Sequence, residues 1–416
     1  MQMPGFNRTV LDLAEALAAG RTSSRELVEA ALARVAAPDG EGARTFVAVY
    51  ADSAMTAADA QDRLRKAGYV ASPLAGLPVS VKDLFDVAGE RTLAGSKALD
   101  DSPPAAHDAP TIARLRAAGA VLIGRTNMTE FAFSGGGINL HYGTPGNPYD
   151  RRLIPGGSSS GAAVSVADGQ AVVGIGTDTG GAVRIPAAFC GIAGFKPTQY
   201  RIPRDGVMPL STTLDSIGPL AISIACCAIV DAIMAGELPA VPAPIPIEAL
   251  RLGVPQTYVL DGLAPEVANA FAAACTSLSS AGARVVDIPL TELTSLAAIN
   301  AGGGFAPIEA YGWHQPLLAR RGNEYDQRVR QRIERASGMR AVEYIRLQGA
   351  RADLISRVAA ATAGFDALLM PTVAITSTAN CCLRARRGLP PAQCADPAEY
   401  IGHQFPRWLC SHRPDP

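Results

Sequence analysis

The residues of this 416-residue chain that could do chemistry crowd into one Gly/Ser-rich segment, Ile154 to Thr198, with Lys82 as an outlier. Gly157-Ser158-Ser159-Ser160-Gly161 has the G-x-S-x-G spacing that presents a nucleophile, here Ser159, on a strand-to-helix turn. No clean strand precedes it, so the spacing stands without its context. Gly174-Ile-Gly176-Thr-Asp-Thr179 approaches a dinucleotide-binding turn but lacks the third glycine and the acidic ribose-binding position. A phosphate-cradling loop would need a lysine after the glycines, and none follows. Taken singly, Lys82 reads as a solvated strand lysine, Asp178 with Arg184 as an ordinary ion pair, and Thr179-Gly180-Gly181 as a turn. Their occurrence together, in this order, is what calls for an explanation.

The elements that would position these residues alternate in kind. A helix opens at Ser23 with Glu26 completing a capping box, and Leu27, Val28, Ala31, Leu32 and Val35 recur on one helical face. Leu77 to Lys82 reads as a strand, with the valines on one side and Ser80 and Lys82 on the other. Thr111 to Ala118 reads as a helix with Pro110 at its start and Gly119 just past its end. Ala120–Ile123 and Ala171–Ile175 are short apolar strands, and Ser159–Asp168 is a small-residue helix closed by Gly169. This alternation predicts an α/β fold around a largely buried sheet. A Pro-rich stretch, 238–246, reads as an extended connector. Beyond it, strands near Arg251–Val254 and Arg284–Ile288 flank a helix over Ala264–Ala281, followed by a charged helical region at 323–360 and the strand Ala367–Met370.

Composition narrows the function classes. Lys+Arg number 37 against 38 Asp+Glu, a balance that gives no electrostatic footprint for nucleic acid or an anionic membrane. With 48% hydrophobic and 18% charged residues, the chain can bury a large core and is not disordered. The longest apolar stretch, Ile217 to Val230, is interrupted by Gly, Pro and Ser and is too short to span a bilayer. The N-terminal residues show no basic-then-apolar leader pattern, so a cytoplasmic location is expected. Cys226-Cys227 and Cys381-Cys382 are adjacent pairs, which suits neither disulfides nor zinc. The histidines show no metal spacing, so no metal and no cofactor are expected.

Taken in order, the motifs resemble the amidase signature family. The matching residues are the strand bearing Lys82, Pro155-Gly-Gly-Ser158-Ser-Ser-Gly161, Gly176-Thr-Asp-Thr-Gly-Gly181-x-x-Arg184-Ile-Pro186, Phe189-Cys-Gly-Ile-Ala-Gly-Phe-Lys-Pro197 and Leu214-Asp-Ser-Ile-Gly-Pro219. The likeness is densest over 76–220. It implies a large mixed, twisted sheet covered by helices on both faces. It also implies a single domain over 1–375, with motif core 76–220, connector 238–246 and a variable substrate-side region 250–375. A Ser–cis-Ser–Lys triad comes with the resemblance: Lys82 as base, Ser158 as bridging serine and position 182, directly after Gly180-Gly181, as nucleophile. Such a lysine works only if burial and neighbours hold its pKa down. The backbone N–H groups of Thr179, Gly180, Gly181 and residue 182 would form the oxyanion hole. Asp178, Arg184 and Ser159 would brace that loop. Ala132, Phe133 and Ser134 resemble the family's acyl-pocket wall, with Phe133 equally readable as core, and Tyr311 and His314 in the variable half are candidate substrate contacts whose alternative reading is structural.

Position 182 is alanine. The implied activity, hydrolysis of a small carboxamide to acid plus ammonia or amine, would therefore lack its nucleophile. With every neighbouring motif residue intact, Ala182 reads as a Ser→Ala variant of an active enzyme, the alternative being a natural non-catalytic amide binder. Two further function classes stay open: an amidotransferase A-type subunit supplying ammonia in a tRNA-dependent complex, and a ureide or allophanate-type hydrolase. The expected partners are a small-molecule amide and, by family analogy, a second copy of the chain, with no nucleic acid and no membrane. The tail, 376–416, differs from everything before it. A one-nucleotide shift within Ile401–Cys410 can yield the Asn-Phe-Leu-Asp-Gly-Cys-like segment that family members carry near the C-terminus, so a frameshift after about residue 375 is expected.

Overall fold

A computed structural model of the chain describes residues 8–379. Its centre is a six-stranded mixed sheet of β1 (Phe46–Val49), β2 (Pro78–Lys82), β3 (Val121–Thr126), β4 (Val173–Asp178), β5 (Ala193–Gly194) and β6 (Ser216–Ala221), in the order β1-β3-β2-β4-β6-β5. β2 runs parallel to both β3 and β4, while β4 and β6 are antiparallel. Every residue of β2, β3, β4 and β6 is buried, as expected for strands covered on both faces. A second sheet, all parallel, joins β7 (Arg251–Pro255), β8 (Arg284–Ile288) and β9 (Ala367–Leu368) in the order β8-β7-β9. Between the sheets, 238–246 carries no strand or helix and leaves Leu238 and Ile245 exposed.

Period two is obeyed on β2. Ser80 Oγ lies 2.8 Å from Ser165 Oγ, and Lys82, two residues on, points to the same side. The helix Ser160–Ala167 covers that side and is buried along its whole length. Its small residues are a packing requirement. A Cβ on Gly161 would sit 2.4 Å from the Thr45 carbonyl oxygen and 2.7 Å from the Asn127 nitrogen. One on Gly174 of β4 would come within 2.7 Å of the Ala162 carbonyl oxygen.

The apolar run from Ile217 resolves into two elements that hydropathy alone does not separate. β6 ends at Ala221, and Ser223 caps a new helix, Ile224–Ala235, by accepting from the Cys226 nitrogen. The Ser23/Glu26 capping box forms as the sequence predicts. The 323–360 region divides into helices Gln327–Glu334 and Ala341–Thr362. The structured chain also runs past 375: Ile154 N donates to the Thr378 carbonyl, Ser377 Oγ donates to the Ile154 carbonyl, and Leu153 bridges Ala379. The rest of the tail, including the expected frameshift, lies outside the described residues.

Two glycine substitutions should therefore act in opposite directions. Gly161→Ala is expected to destabilise by about 1–3 kcal/mol through overpacking. Gly349→Ala lies in the exposed part of the Ala341–Thr362 helix, where a Cβ meets nothing within 4 Å. It should stabilise by up to about 1 kcal/mol. Urea unfolding of both variants checks the pair.

Candidate active site

Lys82 ends β2 at the carboxyl edge of the parallel strands, where open α/β sheets place their ligand sites. It is wholly buried, and among the described residues it makes no ion pair. Its Nζ donates instead to two hydroxyls, Ser158 Oγ at 2.8 Å and Thr177 Oγ1 at 2.9 Å. Burial lowers its pKa to about 7, against the opposing pull of the Asp178 and Asp215 charges. The sequence led to the expectation that burial and neighbours act together. Here burial does the work, and the neighbouring carboxylates oppose it.

Ser158 follows a cis Gly157–Ser158 peptide and is fully buried. The turn is gripped from two sides: Gly157 N donates to the Gly135 carbonyl, and Thr129 N donates to the Ser158 carbonyl. A side chain at 157 would strike the Gly137 backbone at 2.5 Å. Ser159 N donates to the Ala182 carbonyl at 3.2 Å, which draws position 182 against the serine turn. Ser159 Oγ points to the Thr177 carbonyl at 3.3 Å.

The loop after β4 is organised by one carboxylate. Asp178 Oδ1 accepts from Gly181 N at 2.7 Å and from Arg184 Nη2 at 2.9 Å. Its Oδ2 accepts from Arg184 Nε at 2.9 Å and Val183 N at 3.2 Å. Burial alone would raise this carboxyl, yet the Arg184 guanidinium and the Gly181 hydrogen bond hold it well below the usual carboxylate range. This corrects one assignment: the Gly181 N–H is committed to Asp178 and braces the loop. Gly180 and Ala182 differ, being the two residues of 173–183 left partly exposed. Their N–H groups make no hydrogen bond among the described residues. They are thus the two backbone donors of this loop left open to a bound group.

A cavity of about 480 Å³ opens beside this centre, with Thr177, Ala132, Asp215, Arg204, Tyr200 and Met208 in its walls. Of the five expected substrate contacts, only Ala132 lines it. His314 is corrected: it is wholly buried, shares a 2.9 Å hydrogen bond through Nδ1 with the Tyr325 hydroxyl, and is driven down to about 3 by burial. It packs edge-on against Phe131 at 4.4 Å, so it supports the wall behind Ala132 from outside the cavity. Phe133 and Tyr311 pack against the main core, and the Phe133 carbonyl accepts from Arg332 Nη1 at 3.0 Å. Ser134 Oγ caps Gly136 N. None of these side chains lines the cavity.

Two residues carry more than their sequence context assigned to them. Thr177 is the second acceptor for Lys82, a position that strand alternation on β4 could have suggested. Asp215 falls within the motif Leu214–Pro219, where the sequence gives it no role. Its Oδ1 accepts from Thr179 Oγ1, its Oδ2 accepts from Leu210 N and Ser211 N at 2.9 Å each, and burial raises it to about 6. A lone acid entering an apolar strand after Ser-Thr-Thr was the available signal.

Comparison with known proteins agrees with the geometry. The amidase family model matches residues 26–381. The chain is 42% identical over 319 residues to the A-type subunit of the glutamyl-tRNA(Gln) amidotransferase of Chromohalobacter salexigens, covering 73% of this chain and 64% of that protein. It therefore spans less than two thirds of that relative's length. It is 39% identical over 330 residues to the 2-amino-5-chloromuconic acid deaminase of Comamonas testosteroni, covering 77% and 70% respectively. A crystal structure of an amidase superposes with a TM-score of 0.86 at 31% identity, covering 97% of this chain and 90% of that one. A structure from work on a vestigial complex and the origins of an s-triazine catabolic enzyme gives 0.84 at 33% identity, with 97% and 89% coverage.

If Lys82 is the base, a chain carrying Ala182→Ser should react with a serine-directed fluorophosphonate at a rate that falls about tenfold per pH unit below about 7, where the amine is protonated, and levels off above it. The labelling rate measured from pH 5 to pH 9 checks this.

Proposed function

This chain belongs to the amidase signature family, and we propose that it carries the ammonia-releasing centre of an amidotransferase A-type subunit, disabled by Ala182. The observation that carries the reading is Lys82 Nζ, buried without a counter-ion 2.8 Å from Ser158 Oγ. A neutral amine in that place can take a proton from Ser158, which in turn takes one from a serine hydroxyl at 182. That oxygen attacks the carboxamide carbon. The N–H groups of Gly180 and residue 182 meet the charge gathering on the carbonyl oxygen, with Thr179 beside them. Ser158 then returns the proton to the departing nitrogen, ammonia leaves, and water hydrolyses the acyl ester by the same relay. With a methyl at 182 the base, the relay and the oxyanion donors remain, but nothing attacks. Loss of the nucleophile costs on the order of a million-fold in serine hydrolases.

Relatives named as amidotransferase subunits, at 42% identity, support this reading over a free-standing enzyme. On it, the partners are the other members of a tRNA-dependent complex, in place of a simple homodimer. A second reading, a free-standing amidohydrolase of a small carboxamide or ureide, is favoured by solved amidase structures that cover 97% of this chain.

Intact mass after fluorophosphonate treatment tests the centre. One adduct is expected on Ala182→Ser, none on the given chain, and none when Lys82→Ala is added. A folded Ala182→Ser chain that takes no adduct would overturn the reading. Ammonia release by the Ala182→Ser chain alone, on a panel of primary carboxamides, separates the two versions. Turnover without partners favours the free-standing enzyme, and turnover only with co-purified partners favours the amidotransferase complex.

A further inference from the structure

The loop Leu210–Asp215 contributes Leu210, Thr212 and Asp215 to the cavity wall, yet it precedes β6 and has no strand neighbour of its own. Two carboxylates fix it. From inside, Asp215 collects the N–H groups of Leu210 and Ser211 and the Thr179 hydroxyl. From outside, Glu309, on the helix Phe305–Arg321, collects four donors: Ser211 Oγ, Thr213 Oγ1, Thr213 N at 3.1 Å and Tyr344 Oη at 2.7 Å. An ionised carboxylate is the one side chain that accepts from four donors and offers none in return.

These contacts form one continuous path. It runs from Tyr344 on the helix Ala341–Thr362, through Glu309, to Ser211 and Thr213, on to Asp215, and from Asp215 to Thr179. Thr179 immediately precedes Gly180, whose N–H is one of the two donors free for the oxyanion. Arg204 Nη1 ties the same loop down by donating to the Thr212 and Asp215 carbonyls at 2.8 and 3.1 Å. A shift of the loop therefore moves Asp215, and Asp215 moves the residue that aims Gly180.

We propose that Glu309 is a positioning residue for the reaction, holding the oxyanion loop in register from the far side of the Leu210–Asp215 turn. The inference rests on the amide-cleaving centre proposed for Lys82, Ser158 and position 182. Glu309 touches no reacting atom, and it acts on the rate of the chemical step through Asp215 and Thr179. A glutamine at 309 accepts at one end only: with its oxygen kept on Ser211 Oγ and Thr213 N, its N–H₂ faces the Thr213 and Tyr344 hydroxyls, which must turn from donating to accepting, so half of the set that fixes the loop is reversed.

The test uses the Ala182→Ser chain and a fluorophosphonate probe, with the saturation kinetics of labelling separated into a maximal rate and a half-saturating concentration. Adding Glu309→Gln is expected to lower the maximal rate about 10–100-fold, less than the roughly 10²–10³ lost with a whole oxyanion donor. The half-saturating concentration should stay within about threefold. Thr179→Val cuts the same path at its other end, so it should also lower the maximal rate. The double variant should be little slower than the worse single one, because both breaks lie on one path. Thermal melting reports whether each variant is folded, and Thr179→Val alone decides the matter if Glu309→Gln is not. An unchanged maximal rate, a loss confined to half-saturation, or effects that multiply in the double variant would overturn the proposal. If Ala182→Ser itself takes no adduct, the amide-cleaving centre fails, and this inference with it.

Discussion

An amine buried where, among the described residues, no carboxylate touches it is the constraint around which this molecule is arranged. Lys82 lies on β2, inside a sheet whose strands are covered on both faces, so water cannot solvate its charge. A fall from 10.5 to about 7 corresponds to roughly 5 kcal/mol against the charged form. The structure accepts that cost and supplies two hydroxyls in place of a counter-ion. A lysine paired with Asp or Glu would be locked as a cation and useless as a base. The separation of Lys82 from every described carboxylate is thus as much a part of the site as its contacts.

The acids near the centre are all engaged elsewhere, which keeps them off the lysine. Asp178 is folded into its own loop by Arg184 and the backbone of 181–183. Asp215 is occupied by Thr179 and two backbone N–H groups, and Glu309 by four donors. Asp83, next in sequence to Lys82, is paired with the buried guanidinium of Arg125 at 2.8 Å. Each carboxylate fixes a segment of backbone. Asp178 and Asp215 also lend Lys82 a weak long-range pull toward its charged form. Burial outweighs that pull.

Much of this was legible in the residues, and what was not had physical causes. The strand bearing Lys82, the small-residue helix after Ser158 and the Asp178–Arg184 brace follow from alternation, glycine placement and motif order. β6 was hidden because its apolar run continues without pause into the helix capped by Ser223, and hydropathy does not register a change of period. The place of His314 stayed open because a histidine in the variable half looks the same in sequence whether it faces substrate or sits in an aromatic cluster with Phe131 and Tyr325. The occupied N–H of Gly181 could not be foreseen. A Gly-Gly turn announces close approach to something, and only the folded loop shows that Asp178 is what approaches. The path through Glu309 joins residues almost a hundred positions apart, and no local pattern encodes that.

The chemistry proposed for the centre turns on the protonation state of one side chain, Lys82. Lysine labelled at Nζ and Cε, titrated by heteronuclear NMR and assigned with Lys82→Met, reads it directly. A buried amine without a counter-ion predicts a single lysine resonance titrating near 7. A Lys82 resonance that titrates near 10.5, with the other lysines, would contradict it.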